Sequence, residues 1–363
     1  MSESGIDLLF VPPSSDLEYL TGVERLIPTF GQSQYAHGWV AGAFLRPEGD
    51  PVFVLPRMMT LFEMSGELPG ELVVVGERDD GPALFERAAR GLGEVVTLAV
   101  GDRTWAETLI HLQQATSPQR VVPGSGLVNE LRRTKSDEEL SVMERACRVC
   151  DEAIAAVAPK VRPGVTMLEL VEELEHSMRA AGSRVPSFTT HVFTAFGRGG
   201  KSSADETRTV PVAEGDVVMF DFGAVVDGYC SDFGRTVCVG EPAPEVREAY
   251  ELVLAAQEAG RAALVPGTPA SEVNRACRDP IEQAGHGPHF KHRMGHGIGL
   301  DVHERPFVSE EDETPLEPGM TFTDEPSILV DGRFGVRIED VVVCEQEGGR
   351  KLNAFPPALI VNT

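Results

Sequence analysis

The feature that most constrains this chain is an internal repeat in its C-terminal part. Val161-Arg162-Pro163-Gly164 precedes an amphipathic stretch ending at Ala181-Gly182, and Leu264-Val265-Pro266-Gly267 precedes another ending at Ala284-Gly285. The two prolines are 103 residues apart. Gly215 lies before an apolar run carrying Asp221, and Gly319 before one carrying Glu325, an offset of 104 residues. Val226-Asp227-Gly228 recurs as Val330-Asp331-Gly332, again 104 residues on. Landmarks held at one near-constant offset predict a duplicated unit. Each half should run helix, Pro-Gly loop, helix, hairpin. The expected architecture is two α+β halves related by a pseudo-twofold, with any shared site between them.

The residues before the repeat read as a separate α/β segment. Strands are expected at 7–11, 39–45 and 51–55, helices at 83–91 and 104–114, and a short strand end at Val121-Val122. Pro, Gly and Ser cluster at 117–126. A charged stretch follows, in which Ser136 and Glu139 have the spacing of a capping box opening a helix. The domain boundary is placed near residue 130, giving domains 1–130 and 131–363. With 363 residues, two domains with real cores are expected.

Chemistry enters with the two hairpins. Asp227-Gly228 is a two-residue turn signal. Closing the first hairpin there puts Asp221 opposite Gly234, with Asp232 two residues away on the same face. The second hairpin is read with a five-residue loop, 331–335. Glu325 then falls opposite Val341, and Glu339 lies two residues away on the same face. Both hairpins thus present two carboxylates to one side, close enough for each pair to reach one ion. Four buried carboxylates cannot all stay ionised without cations. Arg235 and Arg337 could each neutralise one, which still leaves excess negative charge. A fifth donor is offered by Gly295-His296-Gly297, where flanking glycines permit close backbone approach. His292 and His303 crowd the same stretch. Asp221, Asp232, His296, Glu325 and Glu339 form a hard, oxygen-rich set that suits two divalent ions. Mn²⁺ is favoured, with Co²⁺, Zn²⁺ and Fe²⁺ as the other candidates.

Composition narrows the function class. The chain has 32 Lys and Arg against 57 Asp and Glu, a net charge of −25, which disfavours nucleic acid and anionic lipid as partners. No apolar run approaches the roughly 18 residues of a membrane helix. Met1 to Asp7 has no basic n-region, so no cleavable leader is expected. Six scattered cysteines do not form a secreted disulfide framework. Cys147 and Cys150 lie in a helical run and read as packing residues. A reducing cytoplasm is the expected location.

The site residues resemble the pita-bread metallopeptidases, family M24, in the prolidase and aminopeptidase P branch. The matching pieces are Asp221-Phe222-Gly223, Ser231-Asp232-Phe233-Gly234-Arg235-Thr236, Gly295-His296-Gly297-Ile298-Gly299-Leu300 with His303-Glu304, Glu325-Pro326, and Arg337-Ile338-Glu339-Asp340. Tyr19-Leu20-Thr21-Gly22 adds a resemblance to the creatinase-like N-terminal domain of that branch. The resemblance implies a binuclear peptidase that cleaves Xaa-Pro bonds by attack of a metal-bridging hydroxide on the scissile carbonyl. Asp221 and Glu339 would hold the pair together, with Asp232 on one metal and His296 and Glu325 on the other. Glu325 matches the proton shuttle, His292 and His303 match residues that contact substrate and stabilise the tetrahedral intermediate, and Arg337 matches an arginine on the proline side. A Xaa-Pro dipeptidase is expected, with aminopeptidase P as the alternative and a C–N hydrolase or lyase on the same fold as a more distant one. Substrates would be proline-containing dipeptides or short peptides, and the assembly a homodimer.

One position departs from the family. A substrate-contacting histidine usually stands 17 residues before the first metal aspartate, and this chain has Ala204 there. Gly197 fits the preceding family glycine, so no gap explains the loss. His191, thirteen residues upstream of Ala204, is the nearest histidine on that side. It reads as a plain strand residue or as a substitute.

Overall fold

The computed structural model describes residues 1–25, 35–64, 67–194 and 200–363. Gly197 lies outside the described residues. The chain divides into two compact units, Met1–Arg132 and Arg133–Thr363.

The first unit is built on a six-stranded mixed sheet in the order Glu71–Val75, Val52–Pro56, Gly42–Leu45, Leu8–Val11, Thr97–Val100, Arg120–Pro123. Its central strand is apolar throughout, because both faces are covered. Leu8 and Phe10 enter one core with Phe44 and Phe85, while Leu9 and Val11 enter the other with Phe53 and Leu55. The expected strand at 39–45 forms only over Gly42–Leu45, and Gly38–Val40 is a 3₁₀ turn. Strands Glu71–Val75 and Thr97–Val100 and helices Ser15–Thr21 and Ser125–Arg132 were not anticipated.

The second unit carries the repeat. Helices Asp137–Val157 and Met167–Ala180 belong to one half, Pro244–Ala263 and Ala270–Gln283 to the other. Ser136 and Glu139 close the expected capping box on the first helix. The Pro-Gly loops are equivalent in detail. Gly164 and Gly267 take φ of 94° and 88°, a conformation that favours glycine. Each donates its N–H to a position in the following loop, Gly164 to Val212 O at 2.9 Å and Gly267 to Leu316 O at 2.8 Å. A four-stranded sheet follows in the first half, in the order Ile360–Asn362, Phe233–Val239, Val217–Phe222, His191–Phe193. The second half has a five-stranded sheet, Glu304–Val308, Gly295–Gly297, Thr321–Asp324, Asp340–Glu345, Gly348–Lys351. No helix among the described residues is long and apolar enough to cross a membrane. All six cysteines are buried and free.

The first hairpin has the expected register. Asp221 pairs with Gly234, and the ribbon Val225–Val226 with Tyr229–Cys230 closes on Asp227 and Gly228, at φ of 45° and 83°. The second hairpin departs from its expected register by two residues. Leu329 pairs with Gly335 and Val330 with Phe334, so the loop is Asp331, Gly332 and Arg333 alone. Thr323 consequently pairs with Val341, and Glu325 comes level with Glu339 rather than Val341. Because side chains alternate with period two, an even slip leaves both glutamates on the same face.

The two hairpins are joined by main-chain bonds between Gly234 and Glu339, with N···O distances of 3.2 and 2.9 Å. Arg235, fully buried, locks this junction. Its guanidinium donates to Gly234 O and Glu339 O at 2.8 Å, to Phe355 O at 2.9 Å and to Asp340 Oδ1 at 2.6 Å, and lies over the Phe233 ring. Arg235 therefore serves Asp340 and not a site carboxylate, contrary to the sequence expectation. Removing one partner of a buried ion pair strands the other, at a cost of about 3–5 kcal/mol. Arg235→Leu should lower denaturant stability by that amount; an unchanged unfolding midpoint would show that the clamp contributes little.

Candidate metal centre

Each hairpin carries at least one acid where its strand pairing is interrupted, and Asp221 alone of the four stands within a paired strand. Asp221 lies near the end of Val217–Phe222, and Asp232 sits in the gap between Tyr229–Cys230 and Phe233–Val239. Glu325 lies between Thr321–Asp324 and Ser327–Val330, and Glu339 between Phe334–Arg337 and Asp340–Glu345. Carboxylate oxygens of Asp221, Asp232 and Glu339 all lie within 4.8 Å of one another. His296 completes the group, with Nε2 at 3.6 Å from Asp232 and 3.4 Å from Glu325. All five residues singled out in the sequence are thus brought together.

The imidazole is oriented by its other nitrogen. His296 Nδ1 is 3.0 Å from Gly297 O, which can only accept, so Nδ1 carries the proton and Nε2 faces the acids. The flanking glycines are required by space. A Cβ at Gly295 would stand 2.0 Å from Thr323 O, and one at Gly297 would stand 2.8 Å from Glu304 O.

Electrostatics give a direct test of whether a metal pair fits. Four carboxylates face a single arginine among the described residues. Arg337 ion-pairs with Asp221 and lies 3.7 Å from Glu339 and 3.9 Å from Glu325. Asp232 Oδ1 and Glu339 Oε2 are buried with no hydrogen-bond partner among the described residues. Burial raises Asp232 to about 6, with Asp221 and Glu325 adding to the rise and His296 opposing it. Burial and the surrounding acids push Glu339 well above the usual carboxylate range. Burial opposes charging of His296, but Asp232 and Glu325 hold its pKa above the ordinary value. Orphaned buried oxygens and acids driven towards protonation mark a site short of positive charge. An oxygen-rich donor set with one imidazole suits hard or borderline divalent ions, so the residues fit such a pair.

The remaining sequence candidates line the margin. His292 Nε2 is 2.6 Å from Ser327 Oγ and 3.4 Å from Arg337 Nη2, and its Nδ1 is 3.9 Å from Glu325. Burial, then Arg337, pushes His292 down to about 3, so it is a neutral ring. His303 is exposed, with its ring centroid 4.2 Å from that of His296. Three supporting residues were missed. Thr323 Oγ1 accepts from His296 N at 3.0 Å and donates to Glu325 Oε1 at 3.1 Å. Ser327 holds His292. Thr323 and Ser327 stand two residues either side of Glu325, a spacing that could have drawn attention to them. Ser231 donates to Ala146 O at 3.2 Å and accepts from Ala224 N at 3.0 Å, fixing the chain just before Asp232. Cys150, expected to be a packing residue, lies buried with Sγ 3.1 Å from Ser231 Oγ.

Residues 141–346 match metallopeptidase family M24, and residues 1–134 match the creatinase/prolidase N-terminal domain. A putative dipeptidase of Bacillus subtilis is 30% identical over 99% of this chain and 97% of its own length. A Xaa-Pro dipeptidase of Pyrococcus furiosus is 30% identical over 97% of this chain and 94% of its own. Among solved structures, a prolidase from Thermococcus sibiricus superposes with a TM-score of 0.87, at 29% identity over 99% of this chain and 95% of that one.

A ligand that binds only the folded state stabilises it, by about 2.7 kcal/mol at a free concentration one hundred times its Kd. Chelator-treated protein should therefore take up two divalent ions per chain, with a rise in Tm on adding Mn²⁺ that Asp232→Asn diminishes. Elemental analysis finding no bound metal in excess Mn²⁺ would overturn this expectation.

Proposed function

The chain belongs to metallopeptidase family M24, and on that premise we propose that it is a Xaa-Pro dipeptidase whose metal pair is held by Asp221, Asp232, His296, Glu325 and Glu339. The observation that carries this reading is the convergence of those five residues, with buried oxygens left unpaired. Mn²⁺ is the proposed native metal, and Co²⁺, Zn²⁺ and Fe²⁺ are the alternatives for the same donor set. The reading of the substrate rests on the dipeptidase and prolidase relatives that match nearly the whole chain.

When bound, the pair would polarise the scissile carbonyl and acidify water. The protein's own groups supply the rest. Glu325 takes the proton from the attacking water and returns it to the departing proline nitrogen, with Thr323 holding its Oε1. The open His303 is a donor that can meet the oxyanion as the carbonyl becomes tetrahedral, while neutral His292, its one N–H turned to Arg293 O, lines the substrate side. Arg337 carries positive charge between Asp221, Glu325 and Glu339 and orients the proline side.

A cytoplasmic location is proposed on the six free cysteines. A homodimer is proposed as well, for which the exposed Leu61 and Phe62 of the first unit offer apolar surface.

Metal-loaded protein assayed in parallel on Xaa-Pro dipeptides and Xaa-Pro-Yaa tripeptides should prefer the dipeptides. Cleavage of tripeptides alone would make it an aminopeptidase P, and cleavage of neither would defeat the Xaa-Pro reading. Glu325→Gln should lower kcat by at least about 10²-fold, the scale of acid–base contributions. Near-normal turnover with both metals retained would remove Glu325 from the mechanism.

A further inference from the structure

His191 lies on the edge strand His191–Phe193 and pairs directly with Asp221. Asp221 pairs with Gly234 on its other side, and Gly234 bridges to Glu339. Directly paired residues of antiparallel strands project to the same face, with Cβ atoms about 4.5–5.5 Å apart. His191 therefore stands in one row with Asp221 and Glu339, on the carboxylate face. The row extends one step further. Phe193 bridges to Ser202, Thr194 N–H donates to Lys201 O at 2.8 Å, and Ser203 N–H donates to Val192 O at 2.9 Å. Beyond this pair the chain turns, with Ala204 N–H donating to Ser202 Oγ at 3.1 Å, so that Ala204 lies in the turn beside the edge strand. Ala204 is exposed and has only a methyl side chain, which leaves the ring beside it open.

His191 is half-buried and, among the described residues, makes no side-chain hydrogen bond or ion pair. Of the other polar groups around the acids, His303 is open and is assigned to the oxyanion, and the rest are engaged. Arg337 is paired with Asp221, His292 with Ser327 and Arg293 O, and Arg293 Nε donates to Gly295 O at 3.1 Å. A dipeptide brings a free carboxylate to a face already dense with acids. That group needs a donor that is not otherwise committed.

We propose that His191 is a specificity-determining substrate contact, whose imidazole N–H receives the free carboxylate of the bound dipeptide in the space that Ala204 leaves open. This rests on the reading of the chain as a Xaa-Pro dipeptidase.

The test compares wild type, His191→Ala, His191→Gln and the double variant His191→Ala/Ala204→His, all metal-loaded and checked for metal content and circular dichroism. Each is assayed on one Xaa-Pro dipeptide and on its C-terminal amide, and inhibition by free L-proline is measured as a binding readout. His191→Ala should raise KM for the dipeptide and Ki for proline at least about tenfold, the scale of a hydrogen bond to a charged group, with kcat within about twofold. Its KM for the amide should stay within about twofold of wild type. His191→Gln, which keeps an N–H, should fall between, and moving the histidine to position 204 in the adjoining turn should recover most of the loss. A folded, metal-loaded His191→Ala with an unchanged KM for the dipeptide overturns the proposal. So do equal losses on dipeptide and amide, which would mark a structural role. If the wild type cleaves neither substrate, the functional reading itself has failed, an outcome distinct from an active wild type with a silent variant.

Discussion

Crowding four carboxylates into one small buried volume is the constraint to which the rest of the second unit answers. Like charges at such distances repel strongly in a medium of low dielectric, and they stay together only if the backbone holds them. The backbone does so by duplication. Each half supplies a hairpin, and each hairpin interrupts its ladder where an acid must turn inward. The halves are then stitched by the Gly234–Glu339 pairing and by Arg235, whose guanidinium binds main-chain carbonyls from both. Gly234 has no side chain to intrude: a Cβ there would come within 2.9 Å of Glu339 Oε2. The cost of this arrangement is visible in the orphaned oxygens of Asp232 and Glu339. It is a cost that divalent cations would offset, so folding and metal loading should be coupled.

The acids also sit on both sides of one strand pair. Glu325 and Glu339 face the site, whereas Asp324 and Asp340, paired directly across the ladder, face helix Pro244–Ala263. Asp340 is satisfied by Arg235, by Gln257 at 3.1 Å and by Lys351 at 2.7 Å. Among the described residues neither oxygen of Asp324 has a hydrogen-bond partner, and burial, then Asp340, pushes its pKa well above the ordinary range. Burial thus disfavours charge at Asp324, directly across the ladder from an Asp340 that Arg235 and Lys351 already compensate.

Much of this was legible in the sequence because it is periodic. The repeat offset fixes which landmarks correspond, and Asp227-Gly228 fixes the register that pairs Asp221 with Gly234. The second hairpin was misread because its turn signal, Asp331-Gly332, is followed by Arg333-Phe334-Gly335, and a glycine so soon after the start of the turn looks like part of the loop. In the fold, Phe334 is buried and Gly335 packs against Met219, so both belong to the strand. The error was harmless to the site because it was even. Arg235 was misassigned for a different reason: its nearness to the acids was read without the alternation, which sets it one residue from Gly234 and so on the face away from Asp221, with Asp340. In the first unit, Glu71–Val75 is an edge strand whose outward residues Leu72 and Val74 remain exposed. Its apolar run Leu72–Val75 carries no alternation by which to recognise it.

Reaction class and substrate preference are written in different parts of this structure. The metal-centre residues other than Asp221 are buried to 9% exposure or less, and their placement follows from strand pairing that cannot shift without moving the core. Such positions carry motifs that survive in sequence as fixed spacings. The margin is different: His191 lies on an edge strand, Ala204 in a turn beside it, and His303 on an open loop. Edge and loop positions tolerate exchange because they bury little, and the same freedom lets binding residues diverge on a constant scaffold. The absence of a histidine at position 204 therefore says little about whether the centre can hydrolyse a peptide. The nearest histidine on that side is His191, and strand register, which no motif encodes, is what sets it in the row of Asp221.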